Sequence, residues 1–251
     1  MSLASALKIE VNEWNEVARR QAPPPLHDDE VQVWHWPLQA APEELARLRE
    51  LLSADELERA LRYRFDKHRN EFILTRSNLR ILLASHAGSS PEGVMFAYSP
   101  LGKPALDDGP TDLRFSVSHT DGMAILALVK GREVGVDVEK IRPEPDAQKL
   151  AKRFFSAQEG TFLERLSGHE LLDAFFRCWT LKEAYVKAKG GGLSIPLHDF
   201  DVSLAKDCSS ALLQTRPEPS EAARWTLHNL MIGPGYAAAL AIANADNASA
   251  Q

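Results

Sequence analysis

The chain has little cysteine: two in 251 residues, Cys178 and Cys208. Two thiols cannot build a disulfide framework, and these show no zinc-ligand spacing, which excludes a stapled secreted scaffold or a zinc finger and fits a reducing cytoplasm. Positive charge is also short, with 29 Lys and Arg against 35 Asp and Glu for a formal net charge of −6. A surface built throughout for nucleic acid carries a large positive excess, so any polyanion site must be local and no nucleic-acid partner is expected. The N-terminus meets Lys8, Glu10 and Glu13 before any apolar stretch long enough for a signal peptide. Residues 225–245 contain no charged side chain and would be long enough to span a bilayer. That run holds His228, Asn229 and Asn244 and is broken by Gly233, Pro234 and Gly235, so it predicts two strands joined by a turn, with no membrane partner. No internal repeat and no low-complexity tract is visible.

What is present is ordinary for a soluble protein: 44% hydrophobic and 25% charged residues, in a chain long enough for one to two domains with an unstapled core. After a proline-rich stretch at 22–30, residues 31–36 alternate as a half-buried strand does, and the fold is expected to begin there. Pro42, Leu45, Leu48, Leu51 and Leu52 have helical spacing, and Ser53 with Glu56 forms a capping box, so helices fill about 42–87. Glycines and prolines across 91–110 predict loops around a short strand at 94–97, with Lys103 in the tightest turn. Strands follow at 113–119, 123–129 and 134–139, with connections short enough for an antiparallel meander. Helices over about 146–165 and 170–189 end at Gly190, and strands return after them. The order lacks the regular alternation of a doubly wound sheet and predicts an α+β fold with antiparallel sheets.

Four features carry chemistry. In the strand Val134–Glu139, side chains alternate, so Asp137 and Glu139 share one face opposite a valine face. Their roots lie about 7 Å apart, either as a solvated face or close enough to share a hard cation such as Mg²⁺. Trp179, Glu183 and Lys187 form one stripe at i, i+4 and i+8, which is either an ordinary surface pair or a third acidic ligand beside a cation for phosphate. Ser118 and His119 end a strand where both could donate hydrogen bonds to a phosphate; nothing near them resembles a nucleophile elbow. Finally, residues 58–80 hold Arg59, Arg62, Arg64, Lys67, Arg69, Arg76 and Arg80 against three acids, a local basic stretch suited to phosphate.

Taken in order, the segments 102–104 (Gly-Lys-Pro), 115–119 (Phe-Ser-Val-Ser-His), 134–139 (Val-Gly-Val-Asp-Val-Glu), 153–159 (Arg-Phe-Phe-Ser-Ala-Gln-Glu) and 179–187 (Trp-Thr-Leu-Lys-Glu-Ala-Tyr-Val-Lys) resemble the surfactin-synthetase-activating (Sfp) type of 4′-phosphopantetheinyl transferase. The resemblance covers about residues 58–200. It implies a monomer of two similar α/β halves with antiparallel sheets, related by a pseudo-twofold axis, residues 1–131 and 132–251, with coenzyme A in the cleft between them. The implied activity is Mg²⁺-dependent transfer of phosphopantetheine from coenzyme A to a serine of an acyl or peptidyl carrier domain, releasing 3′,5′-ADP and leaving the holo carrier; Mn²⁺ is a possible substitute.

By the resemblance, Asp137, Glu139 and Glu183 are the metal ligands, and Lys187, Ser118 and His119 contact the phosphates. Arg64, Arg69 and Lys103 are candidates for the 3′-phosphate and adenosine end. Glu183 is the expected base, with Glu159 in a supporting role. Ser116 stands where many members have Asn, and Glu71 where Arg is frequent. A non-catalytic module docking carriers or nucleotides on the basic helix is the alternative.

Overall fold

The structure, a computed structural model, describes residues 7–15, 18–107, 112–205 and 212–245. Cys208 and residues 108–110 of the predicted loop lie outside them. In chain order the elements are β1 (Lys8–Glu13), β2 (Glu30–Pro37), α1 (Pro42–Arg49), α2 (Ala54–Leu61), α3 (Asp66–Ala87), β3 (Phe96–Tyr98), β4 (Pro104–Leu106), β5 (Leu113–Thr120), β6 (Met123–Lys130) and β7 (Val134–Lys140). There follow α4 (Ala147–Phe154), α5 (Ala157–Glu164), α6 (Gly168–Lys189), β8 (Phe200–Val202), β9 (Leu212–Thr215), β10 (Trp225–Leu230) and β11 (Tyr236–Ala243). The uncharged run at 225–245 is two antiparallel strands around a turn, and no helix of the described residues is long and apolar enough to cross a membrane.

One sheet has the order β1-β2-β6-β5 and a second the order β10-β11-β7. Apart from β1 and β2, which pair in parallel, the ladders are antiparallel. The fold is therefore α+β. Two expectations change. The fold begins at β1, not at residue 31: Ile9 and Val11 sit opposite Val31 and Val33, a non-local pairing that local spacing does not reveal. The three central strands are not one meander either, because β7 leaves the β5–β6 hairpin to pair with β11. Burial is the reason. Val134, Val136 and Val138 join Val31, Val33, Ile125, Ala127 and Val129 of the first sheet in one apolar cluster with Leu240 and Ile242, so the sheets pack face to face.

The same order of elements occurs twice, although no repeat is visible in the sequence. β2-α1-α2-α3-β3-β4-β5-β6 is matched by β7-α4-α5-α6-β8-β9-β10-β11, and β2-β6-β5 is matched by β7-β11-β10. Both α3 and α6 have 22 residues and end in a left-handed glycine, Gly88 and Gly190. Each covers the outer face of its own sheet: α3 packs Leu79, Leu82 and Leu83 on Trp34, Trp36, Phe115 and Leu126, and α6 packs Leu181, Ala184 and Tyr185 near Ala239 and Ala241. The short helices before them both open with a capping box, Ser53 with Glu56 and Ser156 with Glu159. These glutamates turn inward to α3 and α6. Glu56 takes Arg76 and Arg80 (2.6 Å to Arg80 Nε), and Glu159 takes Lys182 (2.8 Å).

Gly135 sets how close α6 comes to β7. A Cβ there would lie 2.9 Å from Ala188 Cα and closer still to Ala184 O and Ala188 N, all backbone atoms that cannot rotate away. Gly135→Ala must push the helix off the strand. The expected result is a loss of about 1–3 kcal/mol in stability, as for overpacked cores, and a larger loss of activity, because Glu183 and Lys187 ride on that helix. Denaturant unfolding beside turnover measurements checks both.

Candidate active site

β7 turns its valines to the space between the sheets, so Gly135, Asp137 and Glu139 face the opposite way, toward α6. Helical spacing brings Glu183 and Lys187 to the same place. Lys187 Nζ donates to Asp137 Oδ1 at 2.6 Å and to Ser118 Oγ at 2.8 Å, and the Ser118 hydroxyl donates to the same Asp137 oxygen at 2.8 Å. A residue from β5, one from β7 and one from α6 thus close a triangle. Trp179, the third member of the predicted stripe, belongs to the core, packed against Phe155 and Phe175.

Asp137 is buried, and among the described residues its second oxygen, Oδ2, has no hydrogen-bond partner. A buried carboxylate oxygen without a donor is costly unless a ligand completes it. Beside it, burial and the negative charges of Asp137 and Glu139 raise the Glu183 carboxyl above its usual range, with Lys187 opposing them. Glu139 is raised by burial and by Asp137, against the Thr120 hydroxyl and Arg142. Three carboxylates under mutual strain, one with an orphaned oxygen, are hard oxygen donors of the kind that suits Mg²⁺. As they stand they do not converge: among the described residues no three acidic, imidazole or thiol side chains are close enough to hold a cation. The chain's own cations occupy part of the space, Lys187 on Asp137 and Arg142 on Glu139 at 3.4 Å.

His119 opens to solvent at the end of β5. Protein packed around it, together with Lys187 and Arg59, holds its imidazole below the ordinary range, with Glu71 pulling the other way. The ring is therefore neutral at pH 7, and an NMR titration should give a midpoint below 6.5. The sign follows directly. Near pH 6 the unfolded chain binds more proton at this site than the folded one, so its contribution to stability falls as pH drops through 6.5.

The remaining candidates lie farther out. Lys103 donates to Glu133 at 2.6 Å and to Ala188 O at 2.8 Å, on the wall of a cavity of about 550 Å³ that also exposes Arg114, Arg132 and Lys189. Arg64 lies over the exposed Phe65 ring, and Arg69 is held by Asp66 and the Tyr63 carbonyl. Among the described contacts, neither arginine reaches the carboxylates. Glu159 is 2% exposed, with its oxygens taken by Lys182, Ser156 N and Val202 N. It therefore braces α5 against α6 and has no free oxygen for a reaction. Thr120, whose hydroxyl reaches Glu139 at 3.2 Å, was missed by sequence reasoning, and Arg59, named only as one of the basic stretch, is the member of it whose charge acts on His119. Thr120 had a signal: it continues the period-two series of Ser116 and Ser118.

A lysine, a serine and a buried acid thus meet where the two sheets pack, with Glu139 and Glu183 nearby. Sequence comparison shows the class. A profile of the 4′-phosphopantetheinyl transferase superfamily matches residues 133–241. The chain is similar to the 4′-phosphopantetheinyl transferase HetI of Nostoc sp., 38% identical over 220 residues, covering 87% of this chain and 90% of that one. It is also similar to the 4′-phosphopantetheinyl transferase Sfp of Bacillus subtilis, 28% identical over 204 residues, covering 81% and 88%. A solved holo-(acyl-carrier-protein) synthase of Bacillus anthracis, in complex with CoA (3′,5′-ADP), shares 21% identity and a TM-score of 0.35, over 44% of this chain and 94% of that one. The chain belongs to the 4′-phosphopantetheinyl transferase family.

Proposed function

We propose that this protein is a holo-[acyl-carrier-protein] synthase of the Sfp type, moving 4′-phosphopantetheine from coenzyme A to the serine of an acyl or peptidyl carrier domain. The observation that carries the reading is the Lys187–Ser118–Asp137 triangle beside Glu183, with Asp137 Oδ2 left without a partner. The active cleft lies between the halves 1–131 and 132–251, and the monomer works in the cytoplasm.

In this reading Lys187, a compact point charge, and the donors Ser118 and His119 bind the pyrophosphate oxygens of coenzyme A. Lys103 and the cavity beside it take the 3′-phosphate end. Asp137, Glu139 and Glu183 would hold Mg²⁺. A cation held by those residues would supply positive charge against the pyrophosphate oxygens. Glu183 accepts the proton of the carrier serine, directly or through water, as the serine oxygen bonds to the β-phosphorus. The bond from that phosphorus to the bridging oxygen breaks, and 3′,5′-ADP leaves with the electron pair.

The test is chromatographic. Incubation with a carrier domain, coenzyme A and Mg²⁺ should yield 3′,5′-ADP in step with holo carrier, and chelation should stop both. Coenzyme A binding with no 3′,5′-ADP across a panel of carriers would favour a docking module instead.

A further inference from the structure

β5 and β7 run side by side but belong to different sheets, so no backbone ladder joins them. Side-chain hydroxyls replace it. Ser116 Oγ accepts from the Val136 N–H at 3.1 Å, Ser118 Oγ donates to Asp137 Oδ1 at 2.8 Å, and Thr120 Oγ1 accepts from the Lys140 N–H at 3.3 Å while donating to Glu139 Oε2 at 3.2 Å. A hydroxyl has one proton and two lone pairs, so Thr120 can do both at once. The end of the strand is fixed from both sides: Asp121 takes Lys67 of α3 and Lys140 of β7, and its carbonyl accepts from the Tyr236 hydroxyl at 3.2 Å.

The two acids of β7 are treated alike. Ser118 and Lys187 occupy one oxygen of Asp137 and leave Oδ2 over. Thr120 and Arg142 both bind Oε2 of Glu139, leaving Oε1 outside these contacts. The structure assigns Thr120 as a positioning residue that fixes one oxygen of the Glu139 carboxylate, and the alternating hydroxyls of β5 as the device that leaves the other oxygen of each acid for a divalent cation. This rests on the cation site proposed above. Partners of this kind around a metal ligand typically change affinity by about 10–100-fold when removed.

The test reads metal binding rather than turnover. Mn²⁺ is titrated into the protein with saturating coenzyme A and no carrier, and free Mn²⁺ is followed by electron paramagnetic resonance. Thr120→Val, nearly isosteric, should weaken Mn²⁺ binding about tenfold or more. Thr120→Ser should bind as the wild type does, and metal-free coenzyme A affinity should stay unchanged in both. Thr120→Ala reads the same loss if the valine disturbs the strand. A seam that merely supports the fold would lower the melting temperature of Thr120→Val and Thr120→Ala but leave Mn²⁺ affinity at the wild-type value, which overturns the assignment. Wild-type protein that takes up no Mn²⁺ would remove the cation site itself, a distinguishable failure.

Discussion

Asp137→Asn and Glu183→Gln should each lower transfer to carrier protein by about 10²–10³-fold or more, the range seen when one electrostatic partner of a developing charge is removed. Both substitutions keep side-chain volume. Asp137 is buried at the meeting point of β5, β7 and α6, and holds Lys187 and Ser118 on one oxygen. An asparagine oxygen, with two lone pairs, can keep both donors, but the amide nitrogen that replaces Oδ2 cannot ligate a cation. Burial and the neighbouring charges of Asp137 and Glu139 disfavour the ionised Glu183 carboxyl, and a neutral glutamine relieves that cost. Melting temperature in Glu183→Gln should therefore hold or rise while activity collapses. Parallel measurement of turnover and thermal unfolding separates this from general damage, and near-wild-type turnover in either variant would remove the metal assignment.

The second large effect is on stability. Glu159→Gln should cost about 3–5 kcal/mol, since it leaves an uncompensated charge in the core. Lys182 is fully buried, and besides Glu159 it has the carbonyls of Leu197 and Phe200, at 2.8 and 2.6 Å, and the faces of Phe155 and Phe200. Carbonyls solvate an ammonium but do not neutralise it. In a protein of this size each kcal/mol moves the melting temperature by about 2–4 °C, so a fall of roughly 6–20 °C is expected. Adding Lys182→Met should recover part of the loss, because removing both charges costs less than stranding one. Calorimetry of the two single variants and the double closes the cycle; additive losses would show that the pair is not coupled.

How far the sequence carries depends on whether local spacing or tertiary packing decides. The acidic face of β7 is legible because strand side chains alternate strictly, and Glu183 and Lys187 because a helix repeats every few residues. Asp137 and Glu183 lie far apart in sequence, and only the ordered resemblance to a known family links them. Glu159 shows a conflict between two readings. The resemblance points to a role in the reaction, whereas the Ser156–Glu159 spacing, identical to Ser53–Glu56, marks a helix cap; the geometry agrees with the cap.

The doubled architecture left few traces, chiefly these two caps, Leu79 and Arg80 against Leu181 and Lys182 at matching places in the two long helices, and the closing glycines. Where the second half has Asp137 and Glu139 on its outer face, β2 has the buried Trp34 and Trp36, so a repeat of folding signals has parted from a single set of chemical ones. Arg64 and Arg69 show the opposite limit. Charge density along a helix is readable, but where each guanidinium lies depends on Phe65, Asp66 and the Tyr63 carbonyl.

Intact mass spectrometry of a carrier domain after incubation with coenzyme A, Mg²⁺ and this protein tests the central claim most directly. The carrier should gain one phosphopantetheine on its serine with the wild-type protein and none with Asp137→Asn. Carrier domains of unchanged mass across a panel with the wild-type protein, or equal modification by Asp137→Asn, would contradict it.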